Sequence, residues 1–192
     1  MHQRLVRSAL VAVVVAMAAA APAPADSYAV DPMHAGVTFK ISHAGLAWIP
    51  GRFNELSGEV TLDDDPAKCS FSLTIKTASV DTNMPKRDDH LRSPDFFNVK
   101  QFPAITFKST AVKALKDGYE VTGDLTMHGV TKPVTFALVG GKKTQFPKGV
   151  QRTGFSTELT IKRTDFEVGG KIPTEMLGDE VVIAVSFEGT KK

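Results

Sequence analysis

The sequence predicts an all-β protein, a mostly antiparallel barrel or sandwich. Apolar and polar residues alternate with a period of two in eight short stretches, a pattern typical of strands with one buried and one exposed face. Turn-forming residues separate these stretches, and the clearest turn is the hairpin dipeptide Asp117-Gly118. Because the amino-acid composition does not change along the chain after residue 25, we expect one domain over residues 26–192.

Alternation defines the predicted strands in chain order. They are expected at residues 37–42, 56–62, 69–76, 105–108, 119–127, 134–138, 155–162 and 181–187. Eight strands closed into a barrel leave an interior that side chains fill or that holds one slender ligand. Gly58 and Gly123 fall at positions whose side chains would point into the barrel, where a missing side chain opens space or lets a strand bend. The alternation alone leaves a filled core and a ligand tunnel both open.

The first 25 residues predict a secretory signal peptide. Arg4 and Arg7 precede an apolar run over 9–21 that is too short to span a bilayer comfortably. A small-x-small site at 23–25 predicts cleavage after Ala25. We therefore expect an exported product, outside the cytoplasm, that has no stable membrane insertion after cleavage.

Charge and cysteine content narrow the function classes. Without Arg4 and Arg7 the 23 basic residues become 21, equal to the 21 acidic residues, so a nucleic-acid partner is not indicated. The single cysteine, Cys69, cannot form an internal disulfide and shares the apolar parity of its strand. We expect Cys69 to be a small buried hydrophobic residue.

One stretch, residues 79–107, departs from the alternation. It carries charges of both signs between Pro85 and Pro94, followed by the pair Phe96 and Phe97. Proline suits the first turn of a helix and ends one that precedes it, so a short polar helix is predicted near 86–93. A helical insertion on a rigid β scaffold is a common position for function.

Catalytic and metal-binding motifs are absent from the sequence. There is no H-E-x-x-H spacing, nucleophile elbow, phosphate loop or dinucleotide fingerprint. The densest group of possible ligands is Asp88, Asp89 and His90, but consecutive helical residues point in different directions. We therefore predict neither a metal site nor a cofactor.

Five segments, in order, give the chain its resemblance to the YceI-like, polyisoprenoid-binding family of bacterial periplasmic proteins. They are YAVDPMHAGVTFKISH (28–43), GRFNELSGEVTLD (51–63), SVDTNMPKRDDHLRSPDFFNVKQFPAITF (79–107), VTGDLTMHGVTKPVTF (121–136), and IKRTDFE (161–167) with LGDEVVIAVSFE (177–188). The family often has Ser where this chain has Ala35, and it usually has Gly where this chain has Glu167.

The resemblance implies an eight-stranded antiparallel lipocalin-like barrel that holds a polyisoprenoid or isoprenoid quinone. It changes the expectation for the interior from a filled core to a ligand tunnel. Inward parity, together with the Phe pair of the insertion, gives the candidate tunnel residues. They are Phe39, Ile41, Phe71, Leu73, Phe96, Phe97, Phe107, Phe136, Phe155 and Phe187.

Arg87 and Arg92 are the candidates for a polar head group, because arginine grips a diphosphate bidentately. They are five residues apart and need not share a helix face. The alternative for Arg92 is a structural clamp on Asp95 or Asp81.

Storage, transport or sequestration of lipid is the expected function, without catalytic residues. Two alternatives remain open at this point. One is a hydrolase on the same barrel that uses His90 with Asp88 or Asp89, and the other is a stress or secretion factor acting through protein contacts. A bound lipid in the purified protein would favour the first hypothesis over both.

Overall fold

Residues 25–192 are described by a computed structural model that contains eleven strands and one α-helix. The strands are β1 (Asp26–His43), β2 (Ala47–Phe53), β3 (Leu56–Leu62), β4 (Ser70–Lys76), β5 (Val80–Asp81), β6 (Ala104–Leu115), β7 (Gly118–Met127), β8 (Val130–Gly140), β9 (Thr144–Gln145), β10 (Gln151–Lys162) and β11 (Leu177–Lys191). The helix, α1, spans Pro85–Arg92. The predicted signal peptide lies outside the described residues, apart from residue 25.

Eight of the strands form a closed antiparallel barrel. Neighbouring strands follow the order β11-β10-β8-β7-β6-β4-β3-β1, and β1 pairs with β11 to close the ring. This arrangement confirms the predicted eight-stranded antiparallel barrel. The two strands pair from Tyr28–Lys191 to His43–Leu177. A bulge between Val30 and Ala35 interrupts this pairing.

The hairpin of β1 and β2 was not predicted from the sequence. The second half of β1 pairs with β2 and its first half pairs with β3, so β2 and β3 together occupy one position of the barrel. Pro50 and Gly51 interrupt the alternation in β2 and conceal it. Proline is tolerated there because most of β2 is an edge, with only Arg52 and Phe53 paired to β5.

Two long connecting segments lie at the same end of the barrel. Residues 77–103 connect β4 to β6 and include β5 and α1, and residues 163–176 connect β10 to β11. They meet where Phe96 lies against Gly169. We call this end the mouth. Helix α1 confirms the short helix predicted near 86–93.

Opposite the mouth is the end that we call the floor. It contains the start of β1 and the Asp117-Gly118 turn between β6 and β7. Cys69 is buried close to this end, as expected. Among the described residues no helix is long and apolar enough to cross a membrane.

Candidate functional site

A cavity of about 520 Å³ occupies the barrel between floor and mouth. Such a volume falls in the range typical of small-molecule pockets, about 300–1,000 Å³. All but seven of the residues that line it are apolar. The seven polar lining residues are His43, Thr82, Arg87, His90, Thr106, Thr157 and Arg163. No carboxylate belongs to the lining within residues 25–192.

Packed aromatic rings close the cavity at the floor. Phe155 contacts Phe71 edge-on at 5.3 Å between ring centroids and lies 5.5 Å from Phe187. Tyr119 completes the cluster at 5.9 Å from Phe71. Phe71, Phe155 and Phe187 are each only 2 % exposed. This cluster leaves no room for a ligand between its rings.

Nine of the ten predicted tunnel residues line the cavity. They are Phe39, Ile41, Phe71, Leu73, Phe96, Phe97, Phe107, Phe136 and Phe187. Phe155 has the predicted inward parity but lies behind Phe71 in the floor, outside the lining. Phe96 and Phe97 reach the cavity from the mouth, and Phe97 contacts Phe53 at 5.5 Å.

Glycines on the inner surface accommodate rings of neighbouring strands. A Cβ atom on Gly123 would lie 2.5 Å from Cζ of Phe107, and one on Gly51 would lie 2.2 Å from Cζ of Phe39. At Gly58 a Cβ atom would lie 2.2 Å from the carbonyl oxygen of Ser72 and 2.9 Å from Cδ2 of Leu73. These glycines therefore let neighbouring side chains lie flat against the barrel wall.

The cavity reaches the surface at the mouth. His43, His90 and Met176 line it and are also exposed, Met176 by 61 %. The side chain of His90 stacks edge-on against Phe96 with 5.0 Å between ring centroids. A ligand in the cavity would therefore meet solvent beside α1 and beside the segment 163–176.

Arg87 lines the mouth from α1. Its Nε atom donates to Oγ1 of Thr82, and its Nη2 atom donates to the carbonyl oxygen of Thr82, both at 2.7 Å. Asp88 holds Thr82 in turn, because its Oδ1 atom accepts from the backbone N–H of Thr82 at 2.8 Å and from its hydroxyl at 2.5 Å. Within the described chain, Nη1 of Arg87 has no hydrogen-bond partner. Arg87 is thus held in place with donors left for a ligand.

Arg92 faces away from the cavity. Its Nε atom donates to the carbonyl oxygen of Ala78 at 2.9 Å, and its Nη2 atom donates to that of Val80 at 2.8 Å. Its Nη1 atom donates to Asp89 at 3.2 Å. The partners are therefore neither Asp95 nor Asp81. These contacts fasten the C-terminal end of α1 to the chain around β5.

The hydrolase hypothesis finds no support in the contacts of His90. Asp88 accepts from Thr82, and Asp89 accepts from Arg92. The Nε2 atom of His90 instead lies 3.5 Å from Oδ2 of Asp95, and both side chains are more than half exposed. The acids proposed to orient His90 therefore contact other residues.

Arg163 was not identified from the sequence. It is 3 % exposed, and all five of its N–H groups donate to carbonyl oxygens, those of Val168, Gly169, Ile172, Leu177 and Gly178. Burial lowers the pKa of the Arg163 guanidinium, while nearby Asp179 opposes that shift. The side chain holds the segment 163–176 over the cavity and brings a positive charge to its lining. Its sequence signals were its position at the end of a predicted strand and its place in the segment IKRTDFE (161–167).

A cluster on the outer surface holds the ligand types of a metal site. Oxygen or nitrogen atoms of Asp31, His34 and Glu188 lie within 4.8 Å of one another. Arg152 already lies among them, with Nη1 2.6 Å from Asp31 and 3.0 Å from Glu188. Hydrogen bonds from His34 and then from Arg152 hold the pKa of Asp31 well below its usual range. The charge that a metal would supply is thus supplied by arginine.

Comparison with known proteins agrees with this architecture. The YceI-like domain profile matches residues 28–189. The chain belongs to the YceI-like family. A UPF0312 protein of Pseudomonas aeruginosa is 43 % identical over 173 residues, and protein YceI of Escherichia coli is 42 % identical over 173 residues. Each alignment covers 88 % of both proteins.

Solved structures share the YceI-like fold. BcnA of Burkholderia cenocepacia superposes with a TM-score of 0.75 at 28 % identity, over 83 % of this chain and 98 % of BcnA. A polyisoprenoid-binding domain of Saccharophagus degradans, implicated in plant cell wall breakdown, gives a TM-score of 0.66 at 19 % identity. That match covers 86 % of this chain and 98 % of the domain, and it supports the fold alone.

Proposed function

We propose that the protein binds one long apolar lipid, a polyisoprenoid or an isoprenoid quinone, in the barrel cavity. The lipid would be stored, transported or sequestered there without being chemically changed. The observation that carries the proposal is the lining itself, which is apolar except at seven residues and contains no carboxylate among residues 25–192. Membership of the YceI-like family, together with the ligand class in the description of the Saccharophagus degradans domain, supports the choice of isoprenoids.

Burial supplies the binding free energy in this proposal. Each methylene group transferred from water to the cavity contributes about 0.8 kcal/mol. Rings of Phe107 and Phe136, 5.2 Å apart, provide a wall for such a chain halfway along the barrel. Because these contacts are not directional, the cavity would select for length and width rather than for functional groups.

Native mass spectrometry of the purified protein tests the proposal. We expect an adduct of several hundred daltons that organic extraction removes and that added prenyl lipid restores. A protein that carries no adduct and also refuses added prenyl lipid would contradict the proposal.

A matched pair of variants on β11 sharpens the test. Ile183 lines the cavity, whereas its neighbour Val182 points to the outside of the barrel. Ile183→Trp should fill the cavity and abolish the adduct, and Val182→Trp should retain it. Equal retention by both variants would mean that the lipid lies outside the barrel.

We propose further that Arg87 binds the head of an anionic ligand at the mouth. The arrangement favours Arg87 over Arg92, because Arg87 lines the cavity with Nη1 unpaired in the described chain, while the three donating atoms of Arg92 have protein acceptors. A charge-assisted hydrogen bond contributes about 1.5–3 kcal/mol. The affinity of the Arg87→Ala variant for a prenyl diphosphate should therefore be about tenfold to hundredfold lower.

Arg92→Ala is the control for the head-group proposal. It should lower the melting temperature. It should also weaken the binding of a prenyl diphosphate and of a neutral quinone with the same tail length to the same extent. In Arg87→Ala the affinity for the quinone should be nearly unchanged, and the loss of affinity for the diphosphate should be smaller at high salt. An equal loss for both ligands in Arg87→Ala would contradict the role.

Export to the periplasm is also proposed, from the predicted signal peptide at 1–25. Cleavage after Ala25 would leave Asp26 as the first residue, at the start of β1. Intact mass of the protein recovered from the periplasm checks this. A mass that retains residues 1–25 would indicate an anchored protein instead.

A further inference from the structure

Four large apolar side chains are exposed around the mouth. Leu46 is 86 % exposed, Met176 61 %, Trp48 52 % and Met84 50 %. We call these four residues the apolar rim. Exposed apolar residues that occur singly are ordinary, so what matters is whether the four form one surface.

Leu46, Trp48 and Met176 belong to one corner of the molecule. The turn between β1 and β2 places Leu46 at its end, where the N–H of Leu46 donates to the carbonyl oxygen of His43 at 2.9 Å. Next to Leu46, the N–H of Ala44 donates to the carbonyl oxygen of Met176 at 2.8 Å. The tip of the hairpin is thereby fastened to the segment 163–176.

Met84 approaches the same corner from α1. Antiparallel pairing of Arg52 with Asp81 makes the chain after Asp81 run beside β2, towards its hairpin tip. Met84 follows three residues later as the N-cap of α1. The hairpin tip, the segment before β11 and the start of α1 therefore surround the opening together.

The apolar rim is continuous with the lining of the cavity. In the hairpin, Ile49 lines the cavity while its neighbour Trp48 is exposed. Met176 does both, since it lines the cavity and is mostly exposed. A long apolar chain could thus pass from outside to inside along the side chains of Trp48, Ile49 and Met176.

We propose that the apolar rim docks on the surface of a lipid bilayer, with the mouth facing the membrane. The inference rests on the proposed function, because an isoprenoid lipid has no appreciable solubility in water and resides in a bilayer before and after transport. Trp48 suits the headgroup level, where tryptophan is enriched. Lys40, 5.6 Å from the Trp48 ring centre, adds a cation at the same level.

The floor supplies the counter-example within the same molecule. It also exposes apolar residues, among them Phe146 at 73 % and Leu115 at 48 %. Neither residue lines the cavity. If exposure alone produced membrane binding, both ends would bind equally, whereas the proposal assigns binding to the mouth.

Trp48 gives a direct readout because it is the one tryptophan of the chain. With vesicles of phosphatidylethanolamine and phosphatidylglycerol, its fluorescence emission should shift to shorter wavelength, and brominated acyl chains should quench it. The protein should also float with the vesicles in a density gradient. An unchanged Trp48 emission together with protein that stays at the bottom of the gradient would overturn the proposal.

Leu46→Asp/Met84→Asp is the decisive variant, since neither residue lines the cavity. It should lower the vesicle partition coefficient by at least about tenfold, because two exposed apolar side chains no longer enter the bilayer. Leu115→Asp/Phe146→Asp, with the same charge change at the floor, should bind vesicles like the unaltered protein. An equal loss in the two variants would overturn the assignment to the mouth.

Adduct measurement separates this inference from the proposed function. Leu46→Asp/Met84→Asp should still hold prenyl lipid delivered from detergent, while its loading from vesicles slows by at least about tenfold. Normal loading from vesicles would contradict the docking inference and leave the lipid-binding proposal intact. If the unaltered protein binds vesicles but carries no lipid adduct, the proposed function would instead be contradicted.

Discussion

The floor and the mouth of the barrel are constructed by different means. At the floor, rings of Phe71, Phe155 and Phe187 project from strands, whose alternation fixes the direction of each side chain. At the mouth, the covering segments are irregular and are held by arginine side chains that donate to backbone carbonyl oxygens, two from Arg92 and five from Arg163. Ring packing stabilises the floor, whereas at the mouth directional hydrogen bonds add to the burial of Val80, Phe166 and Val168.

This difference suits the proposed function, in which the mouth admits the lipid. An apolar cluster separates only at the cost of exposing all its rings, whereas an irregular segment fastened largely by side-chain hydrogen bonds can move as a unit. We therefore expect the segments 77–103 and 163–176 to open at lower free energy than the floor.

Phe155→Ala should produce the largest loss of stability. The ring is 2 % exposed and packs against three other rings, so its removal should lower the free energy of unfolding by about 3–5 kcal/mol. Chemical denaturation measures the change. Hydrogen exchange in 163–176 should rise only as far as global unfolding requires, and a selective rise there would contradict the separation of the two ends.

Arg163→Met should destabilise the mouth in particular. The substitution leaves five carbonyl oxygens without their donors, which we expect to cost about 2–4 kcal/mol. Limited proteolysis should cut within 163–176 before the barrel unfolds, because the segment has lost its central contact. A protein that melts earlier but resists local cleavage would show that Arg163 stabilises the whole barrel and not its cover.

Acid should weaken both ends, through different carboxylates. At the mouth, hydrogen bonds from the backbone N–H of Asn83, then from Asn54 and Arg52, lower the pKa of Asp81 to about 2. At the floor, Lys143 and Lys191 lower that of Asp26 to about 2. Because both folded-state values lie below the unfolded value of about 3.9, this stabilisation is complete only above about pH 5 and is lost as pH falls towards 2.

Replacing one carboxylate at a time separates the two contributions. Asp81→Asn should reduce stability at neutral pH and flatten its decline between pH 4 and pH 2. It should also speed hydrogen exchange in 77–103, which Asp26→Asn should leave unchanged. Identical exchange patterns in the two variants would show that the ends are coupled.

Glu167→Gly should have the smallest effect. Glu167 ends the short turn 163–166 with a φ of 58°, in the left-handed region that favours glycine. The gain in the folded state is opposed by the extra freedom of glycine in the unfolded chain, so we expect a net stabilisation of less than about 1 kcal/mol. Glu167→Val should instead destabilise by about 1–2 kcal/mol. Equal stability of the two variants would contradict strain at this position.

Alternation predicted which face a side chain occupies, but not its depth along the barrel. Phe155 and Phe187 share the inward parity, yet Phe187 lines the cavity and Phe155 does not. Depth depends on the stagger between strands, which a period of two does not contain. For the same reason nine of the ten predicted residues line the cavity, while the floor went unrecognised.

The roles of the arginines could not be separated by spacing. Arg87 and Arg92 are both on α1, and their partners are determined by where Thr82, Ala78 and Val80 lie in the fold. Arg163 acts on carbonyl groups, which every residue possesses and which therefore leave no trace in the sequence. Patterns of side-chain type could be predicted from the sequence, whereas hydrogen bonds from side chains to backbone carbonyl groups could not.

Closure of the barrel by its first and last strands has a consequence for the order of folding. Tyr28 pairs with Lys191, so the ring cannot close until nearly the whole chain is available. Such distant pairing makes folding slow, typically milliseconds to seconds for β proteins. A chain emerging from a ribosome or a translocation channel would therefore stay unfolded until its final strand is released, and only then acquire an interior.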